Sequence, residues 1–219
     1  MKTTHVMLGG LLAAMMMLGG CASKTVSQSE HSGFLSSYDG LTKTQTASGN
    51  TVMRWVDPNF NVANYDKVIF QPVSFYPTPL PSDRLSQETL NDLLNYTNTR
   101  LSGALSKRLQ LASPNSGART LVFRGAITGV GAATQGLKPY EVIPVALLVA
   151  GAMTAAGKRD QNTELYLEGE LVDSATGQPV LRVVRKGMGK TLSNDKQAVT
   201  ADDLRSVIDD LTQDVLSFK

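Results

Sequence analysis

Two glutamates that are two residues apart are the part of this sequence best suited to acid–base chemistry. Glu168 and Glu170 lie in a run from Thr163 to Asp173 in which apolar and polar residues strictly alternate, the pattern of a β-strand with one face on a core and one in water. Residues two apart on a strand lie on the same face, and their Cα atoms are about 6.5–7 Å apart. The carboxyl groups of inverting glycosidases are separated by a comparable distance, roughly 6.5–9.5 Å. One hypothesis is therefore a cell-wall hydrolase. The favoured interpretation is structural: glutamates on a solvated sheet face, opposite Arg182 and Lys186 of the returning strand, form ordinary cross-strand pairs.

The scarcity of histidine and cysteine excludes most other kinds of catalytic or metal site. Beyond residue 20 the chain has one histidine, His31, and Cys21 is the only cysteine. A Ser-His-Asp triad, a Cys-His pair and a zinc site of the usual Cys/His kind therefore cannot be assembled on a rigid element. No phosphate-binding glycine loop has the required spacing, so the sequence predicts no cofactor, no metal and no catalytic residue. The single tryptophan, Trp55, is predicted to be a core or docking residue and not a platform for a sugar.

Cys21 is suited to a different chemistry, the covalent attachment of lipid. Lys2 is followed by an uncharged run from Val6 to Leu18, which is the anatomy of a secretory signal and too short to span a bilayer. The Leu-Gly-Gly-Cys ending resembles the lipobox of bacterial lipoproteins. That resemblance implies cleavage between Gly20 and Cys21, a diacylglyceryl group on the sulfur and acylation of the new amine. Cleavage without lipid is the alternative.

These features predict an exported protein whose main partner is a membrane. Residues 1–20 are a signal peptide, and stable anchoring follows when two or more acyl chains are attached at Cys21. In the bacterial lipoproteins that this sequence resembles, an Asp directly after the cysteine retains the protein in the inner membrane. In this sequence Ala22 and Ser23 follow the cysteine. We therefore expect the periplasmic face of the outer membrane, with the inner membrane as the alternative. The balance of 21 basic and 19 acidic residues provides no basic field for nucleic acid.

Residues 21–51 are predicted to be a lipidated tether followed by a docking segment. Residues 22–32 are mostly polar and are expected to be flexible. Phe34, Leu35, Tyr38 and Leu41 recur at helical spacing and predict a short helical turn that docks on the domain. Residues 42–51 are predicted to be a loop.

Residues 52–219 are predicted to form a single periplasmic domain. Its elements are a strand over Lys67–Val73, a helix that begins after Ser86, a strand over Arg119–Val130, a hairpin of Thr163–Asp173 with Val180–Lys186, and a helix that begins after Thr200. Both helices have one apolar stripe. The order β-α-β-β-β-α predicts an α+β fold, in which a single layer of mostly antiparallel sheet is packed by two amphipathic helices.

One segment of the domain, residues 142–157, is an apolar insert without a charge. It is too short to span a membrane, and Pro144 suits the first turn of a helix. Apolar residues lie on all sides of this predicted helix and do not form a single stripe. One hypothesis is therefore that the segment contacts lipid or a partner's groove through Pro144, Leu147, Leu148 and Met153. The alternative is a small helix or loop packed against the sheet.

Five stretches of the mature chain resemble a group of bacterial lipoproteins known as domain of unknown function 3313. They are GFLSSYDGL (33–41), YDKVIFQPVSFYP (65–77), LVFRGAITGV (121–130), ELYLEGELVDSATGQPV (164–180) and RKGMG (185–189). The patterns are structural, so the resemblance implies a fold and a compartment but no activity. The expected function is a non-enzymatic accessory or adaptor that binds an envelope protein or a lipid.

Overall fold

The computed structural model describes residues 26–134 and 161–218, and the strands of these residues form one sheet. The strands are β1 (Thr42–Gln45), β2 (Thr51–Val56), β3 (Lys67–Phe70), β4 (Ser74–Phe75), β5 (Gln110–Leu111), β6 (Thr120–Thr134), β7 (Gln161–Asp173) and β8 (Pro179–Leu192). The helices are α1 (Gln87–Ser106) and α2 (Ala201–Ser217). The strand order is β1-β2-β8-β7-β6-β3-β5, with β4 beside β6. Pairing is antiparallel from β1 to β6 and parallel where β3, β4 and β5 join. The α+β class and the mostly antiparallel sheet are confirmed.

Both helices begin where the sequence predicts, because local side chains satisfy their first amide groups. The Thr89 amide donates to the Ser86 hydroxyl at 3.1 Å, and the backbone amide and hydroxyl of Thr200 both donate to Asp203. The predicted stripes face the sheet. Their buried members are Leu90, Leu93, Thr97, Leu101, Ala104 and Leu105 of α1 and Leu204, Val207 and Ile208 of α2.

The predicted element order was wrong at the first edge of the sheet. Residues 42–51, predicted to be a loop, contain β1 and the first residue of β2, which pair as a hairpin beside β8. The Thr-Lys-Thr-Gln sequence of β1 has no alternation of apolar residues because the strand lies at an edge and is held by main-chain hydrogen bonds. The two-residue strands β4 and β5 are likewise too short to leave a periodic pattern.

The predicted flexible tether and helical turn also differ from the structure. Residues 26–32 are packed on the domain, and Val26 is 5% exposed. Residues 33–41 turn through Gly33 and Gly40, both at positive φ, and contain no helix. Their docking is confirmed, since Leu35 is buried in a cluster with Val26, Tyr166 and Val184. We call residues 26–41 the N-terminal strap.

Two glycines of β8 determine how closely α2 approaches the sheet. A Cβ atom at Gly187 would lie 2.1 Å from Val207 Cγ1, and one at Gly189 would lie 2.0 Å from the backbone oxygen of Asp203. The second contact is to main chain, which cannot rotate away. Glycine at position 189 is therefore a condition for the observed helix–sheet distance.

We expect Gly189→Ala to lower the free energy of unfolding by roughly 1–3 kcal/mol, because the new methyl group displaces α2 from β8. Urea denaturation followed by circular dichroism measures the change. Gly131→Ala is the matched control, since a Cβ atom there meets nothing within 4 Å. Equal stability of the two variants would contradict this account of the packing.

Candidate functional site

The face of the sheet opposite the helices carries a layer of buried charged side chains. On β7, Glu164, Glu168 and Glu170 are 3%, 3% and 1% exposed. On β8, Arg182 and Lys186 are also buried. The sequence predicted that this face lies in water, and that prediction was wrong because the N-terminal strap covers it. The sequence predicted that Phe34, Leu35, Tyr38 and Leu41 dock on the domain but not on which face, because the two segments in contact are about 130 residues apart.

The strap binds the carboxylates directly. Tyr38 donates its hydroxyl to Glu168 Oε2 at 2.5 Å, and the Ser32 amide donates to Oε1 at 3.0 Å. The Ser36 hydroxyl donates to Glu170 Oε2 at 2.9 Å. Burial, and then the hydrogen bond to Glu168, raise the pKa of Tyr38 above its ordinary value, so the phenol stays a donor at neutral pH.

Three cations balance the three glutamates. Lys186 Nζ lies 3.0 Å from Glu164 Oε1, and Arg124 lies 2.9 Å from Glu170 Oε1. The third cation, Arg182, is opposite Glu170 in the strand register, as predicted, but its guanidinium donates to the carbonyl groups of Ser37 and Asp39 of the strap. These six side chains carry equal numbers of positive and negative charges, which favours the burial of charge. Among the described residues Arg182 Nε has no hydrogen-bond partner.

Trp55 belongs to the same layer and is a docking residue, as predicted. The Arg182 guanidinium lies 4.2 Å from the centroid of its indole ring. Gly40 of the strap is so close that a Cβ atom would lie 2.7 Å from Trp55 Cδ1. The Trp55 ring therefore contacts the Arg182 guanidinium and packs against the strap at Gly40.

The contacts of Glu168 and Glu170 with the strap argue against the hydrolase hypothesis. A glycosidase of the inverting type needs an open space between its carboxyl groups for water and sugar. Around Glu168 and Glu170 that space is occupied by Ser32, Ser36 and Tyr38. In the described part of the chain, the glutamate pair therefore joins the strap to the sheet.

The opposite face contains an apolar cavity of about 160 Å³ between the sheet and the C-terminal halves of the two helices. One row of residues across four strands forms its floor, in the register Arg54, Val183, Gly169, Gly125. The walls are made largely by apolar side chains, including Leu101, Leu105, Phe123, Leu167, Leu211 and Val215. Sequence reasoning missed this cavity, although glycines within two apolar strand faces were a usable signal.

Three arginines and three acidic residues border this cavity, and of the acidic residues Glu168 and Glu170 direct their side chains to the strap face. Arg54 lies 5.2 Å from the centroid of the Phe218 ring. Arg108 donates to the carbonyl groups of Leu216 and Phe218. Arg185 is 2% exposed and pairs with Asp214, while its Nε has no hydrogen-bond partner among the described residues.

Other predicted site residues lie outside the described ranges. These are Gly20 and Cys21 at the predicted cleavage and lipid site, and Pro144, Leu147, Leu148 and Met153 of the apolar insert. Within residues 26–134 and 161–218, no group of three or more histidine, cysteine, aspartate or glutamate side chains could hold a metal ion. None of the helices described in these ranges has both the length and the apolar character needed to cross a bilayer.

Comparison with known proteins places the sequence among lipoproteins. A family model described as "Protein of unknown function (DUF3313)" matches residues 30–215. The "Uncharacterized lipoprotein YdcL" of Escherichia coli K12 is 44% identical over 218 residues, which cover 100% of this chain and 98% of that protein.

Two solved structures are similar to part of this chain. The PelC dodecamer from Paraburkholderia phytofirmans has a TM-score of 0.38 at 15% identity, covering 76% of this chain and 98% of that one. A minor lipoprotein from Acinetobacter baumannii has a TM-score of 0.33 at 17% identity, covering 69% and 90%.

We expect Tyr38→Phe to loosen the strap, because it removes one of the two donors to the buried Glu168 carboxylate. The loss is about 1–3 kcal/mol in the free energy of unfolding, together with faster proteolytic cleavage within residues 26–41. Tyr76→Phe is the control, since Tyr76 is 41% exposed and packs near the strap through its ring. Identical cleavage rates for the two variants would refute the role assigned to the Tyr38 hydroxyl.

Proposed function

The chain belongs to the family described as "Protein of unknown function (DUF3313)", and from that membership we propose that it is a lipoprotein anchored through Cys21 to the periplasmic face of the outer membrane. There it acts as a non-enzymatic accessory or adaptor that binds a protein or lipid partner. The observation that carries the proposal is the match, along the whole chain, to a relative named as a lipoprotein, together with the Leu-Gly-Gly-Cys sequence that ends at Cys21.

The packed strap supports close attachment to the membrane. Only five residue steps separate Cys21 from Val26, which is already buried against the domain. A fully extended chain advances about 3.3–3.6 Å per residue, so the lipidated residue lies at most about 18 Å from Val26. The domain is therefore held against the bilayer surface instead of reaching far into the periplasm.

The direction of the strap supports a role for the apolar insert at the same surface. Tyr166 contacts Glu30, whereas Glu168 contacts Ser32, and Glu170 contacts Ser36. Followed toward the N-terminus, these contacts move toward the beginning of β7. The insert leaves the sheet at that end, since Thr134 pairs with Gln161. We propose that Pro144, Leu147, Leu148 and Met153 contact the membrane beside the lipid anchor, with packing against the sheet as the alternative.

A binding role is favoured over catalysis because of what surrounds the candidate groups. The glutamate pair that could serve a hydrolase is bound by the strap. The apolar cavity, in contrast, is a space between elements that the chain's own side chains leave unfilled. The cavity suits an apolar ligand.

The lipid anchor and the choice of membrane are tested together by feeding cells an alkyne-tagged fatty acid and separating their membranes on a density gradient. We expect the wild-type chain to be labelled and to fractionate with the outer membrane. Cys21→Ala removes the label because the acceptor sulfur is gone. Ala22→Asp keeps the label but moves the chain to the inner membrane.

Ser23→Ala is the matched control and should behave as the wild type. The proposal fails if Cys21→Ala is still labelled, or if the labelled wild-type chain fractionates with the inner membrane.

The insert is tested by flotation of a chain that begins at Ala22 with vesicles of phosphatidylethanolamine and phosphatidylglycerol. We expect the chain to float and the triple variant Leu147→Ser, Leu148→Ser, Met153→Ser to stay in the dense fraction, because burial of apolar side chains drives interfacial binding. Leu80→Ser with Leu111→Ser is the control, since both residues are exposed leucines elsewhere. Flotation of the triple variant would favour the packed alternative.

A further inference from the structure

We propose that the cavity between the sheet and the helices binds the acyl chain of a fatty acid, with its carboxylate at Arg54. The inference deepens the proposed function by naming the class of lipid partner, and it rests on that function only for the presence of the chain at a membrane. The argument depends on the shape of the floor, the size of the space and the charge at its partly exposed end.

Two neighbouring strands both have glycine in the same row of the cavity floor. Gly125 pairs with Gly169, which pairs in turn with Val183. A Cβ atom at Gly169 would make only ordinary contacts, the nearest at 3.5 Å. The chain could therefore carry a side chain at position 169, so packing does not require glycine there. At Gly125, in contrast, a Cβ atom would lie 2.9 Å from Phe123 Cζ, so the Phe123 ring covers that part of the floor.

The size of the space fits one alkyl chain. An apolar cavity of about 150 Å³ is known to stay dry and to bind benzene, which has six heavy atoms. The cavity here is of similar volume, so it accommodates roughly six carbon atoms of a single chain. The two chains of a phospholipid exceed it.

The row of floor residues connects this apolar space to the guanidinium of Arg54. Leu101 and Leu167 are buried at the inner end, whereas Arg54 and Phe218 are partly exposed. Within the described residues Arg54 has no ion pair, and its guanidinium rests on the Phe218 ring. An alkyl chain lying on Gly169 and Val183 would place its head group beside this guanidinium.

The local charge favours an anion. Arg54, Arg108 and Arg185 border the cavity, and the carboxylate among the lining side chains on the helix side is Asp214. Asp214 is already engaged by Arg185 and by the Ser48 amide. A guanidinium matches a carboxylate with two parallel hydrogen bonds, so a fatty acid satisfies Arg54 where a neutral alcohol of equal length does not.

The test is photolabelling of the complete lipidated chain in isolated membranes with heptanoic acid, whose alkyl chain has the six carbons that the cavity accommodates, carrying a diazirine in mid-chain. We expect adducts on peptides that contain residues 167–171 of β7 and 101–105 of α1. Gly169→Leu fills the cavity and should reduce these adducts about tenfold, as expected for loss of the apolar contacts of the probe. Gly131→Leu is its control, because that glycine faces open space outside the cavity.

A second variant separates binding from folding. Arg54→Gln leaves the cavity intact and should reduce labelling by the acid about tenfold, the value of one charge-assisted hydrogen bond, without reducing labelling by the matching heptanol probe. Arg100→Gln, an arginine outside the cavity, is the control. Circular dichroism confirms that each variant is folded.

The inference is overturned if Gly169→Leu is folded and labels as the wild type, if Arg54→Gln labels equally with the acid, or if only a phospholipid with the same photoreactive chain labels these peptides. Its failure is distinct from failure of the proposed function. A chain that fractionates with the outer membrane but shows no labelling at the cavity disproves the fatty-acid site alone, whereas labelling of a chain that carries no lipid disproves the anchor alone.

Discussion

Three carboxylates of the central strand β7 are buried, and each of them needs hydrogen-bond donors or cations in place of water. This requirement explains how the N-terminal strap is placed on the sheet. Glu164 is bound by Lys186 and by the hydroxyl of Tyr166. Glu168 and Glu170 are bound by the N-terminal strap. Removal of the strap would leave buried acceptors without donors or bring charged groups back into water. The strap is thus part of the folded domain, although its sequence has the composition of a linker.

The two faces of the sheet solve the problem of burial in opposite ways. The strap face combines an apolar cluster around Leu35 with buried charged side chains, and hydrogen bonds from the strap fix the register of the two. The helix face is largely apolar and contains a cavity that Gly169 helps to line. Glycine performs two different tasks on that face: at positions 187 and 189 it permits α2 to touch β8, and at position 169 it leaves a space that a side chain could occupy. Only the second task suggests a ligand.

Features that depend on neighbouring residues could be predicted from the sequence, whereas contacts between distant segments could not. Helix starts at Ser86 and Thr200 and the buried stripes of α1 and α2 were predictable, because caps and periodicity act within a few residues. The alternation along β7 correctly grouped Glu164, Glu168 and Glu170 on one face. It could not reveal that this face is covered, because the cover lies about 130 residues away in sequence and binds through serine and tyrosine side chains. The cavity was hidden for a similar reason, since it depends on which residues of different strands share a row.

The route by which the strap reaches β7 has a mechanical consequence. A pull on the chain that precedes Val26 would act first on the contacts of residues 26–41, and only then on the strand beneath. That strand is paired along nearly its whole length with β6 on one side and β8 on the other. Under tension the strap would peel away contact by contact while the sheet stayed intact. A force applied to this segment would therefore break side-chain contacts of the strap before it could distort the sheet.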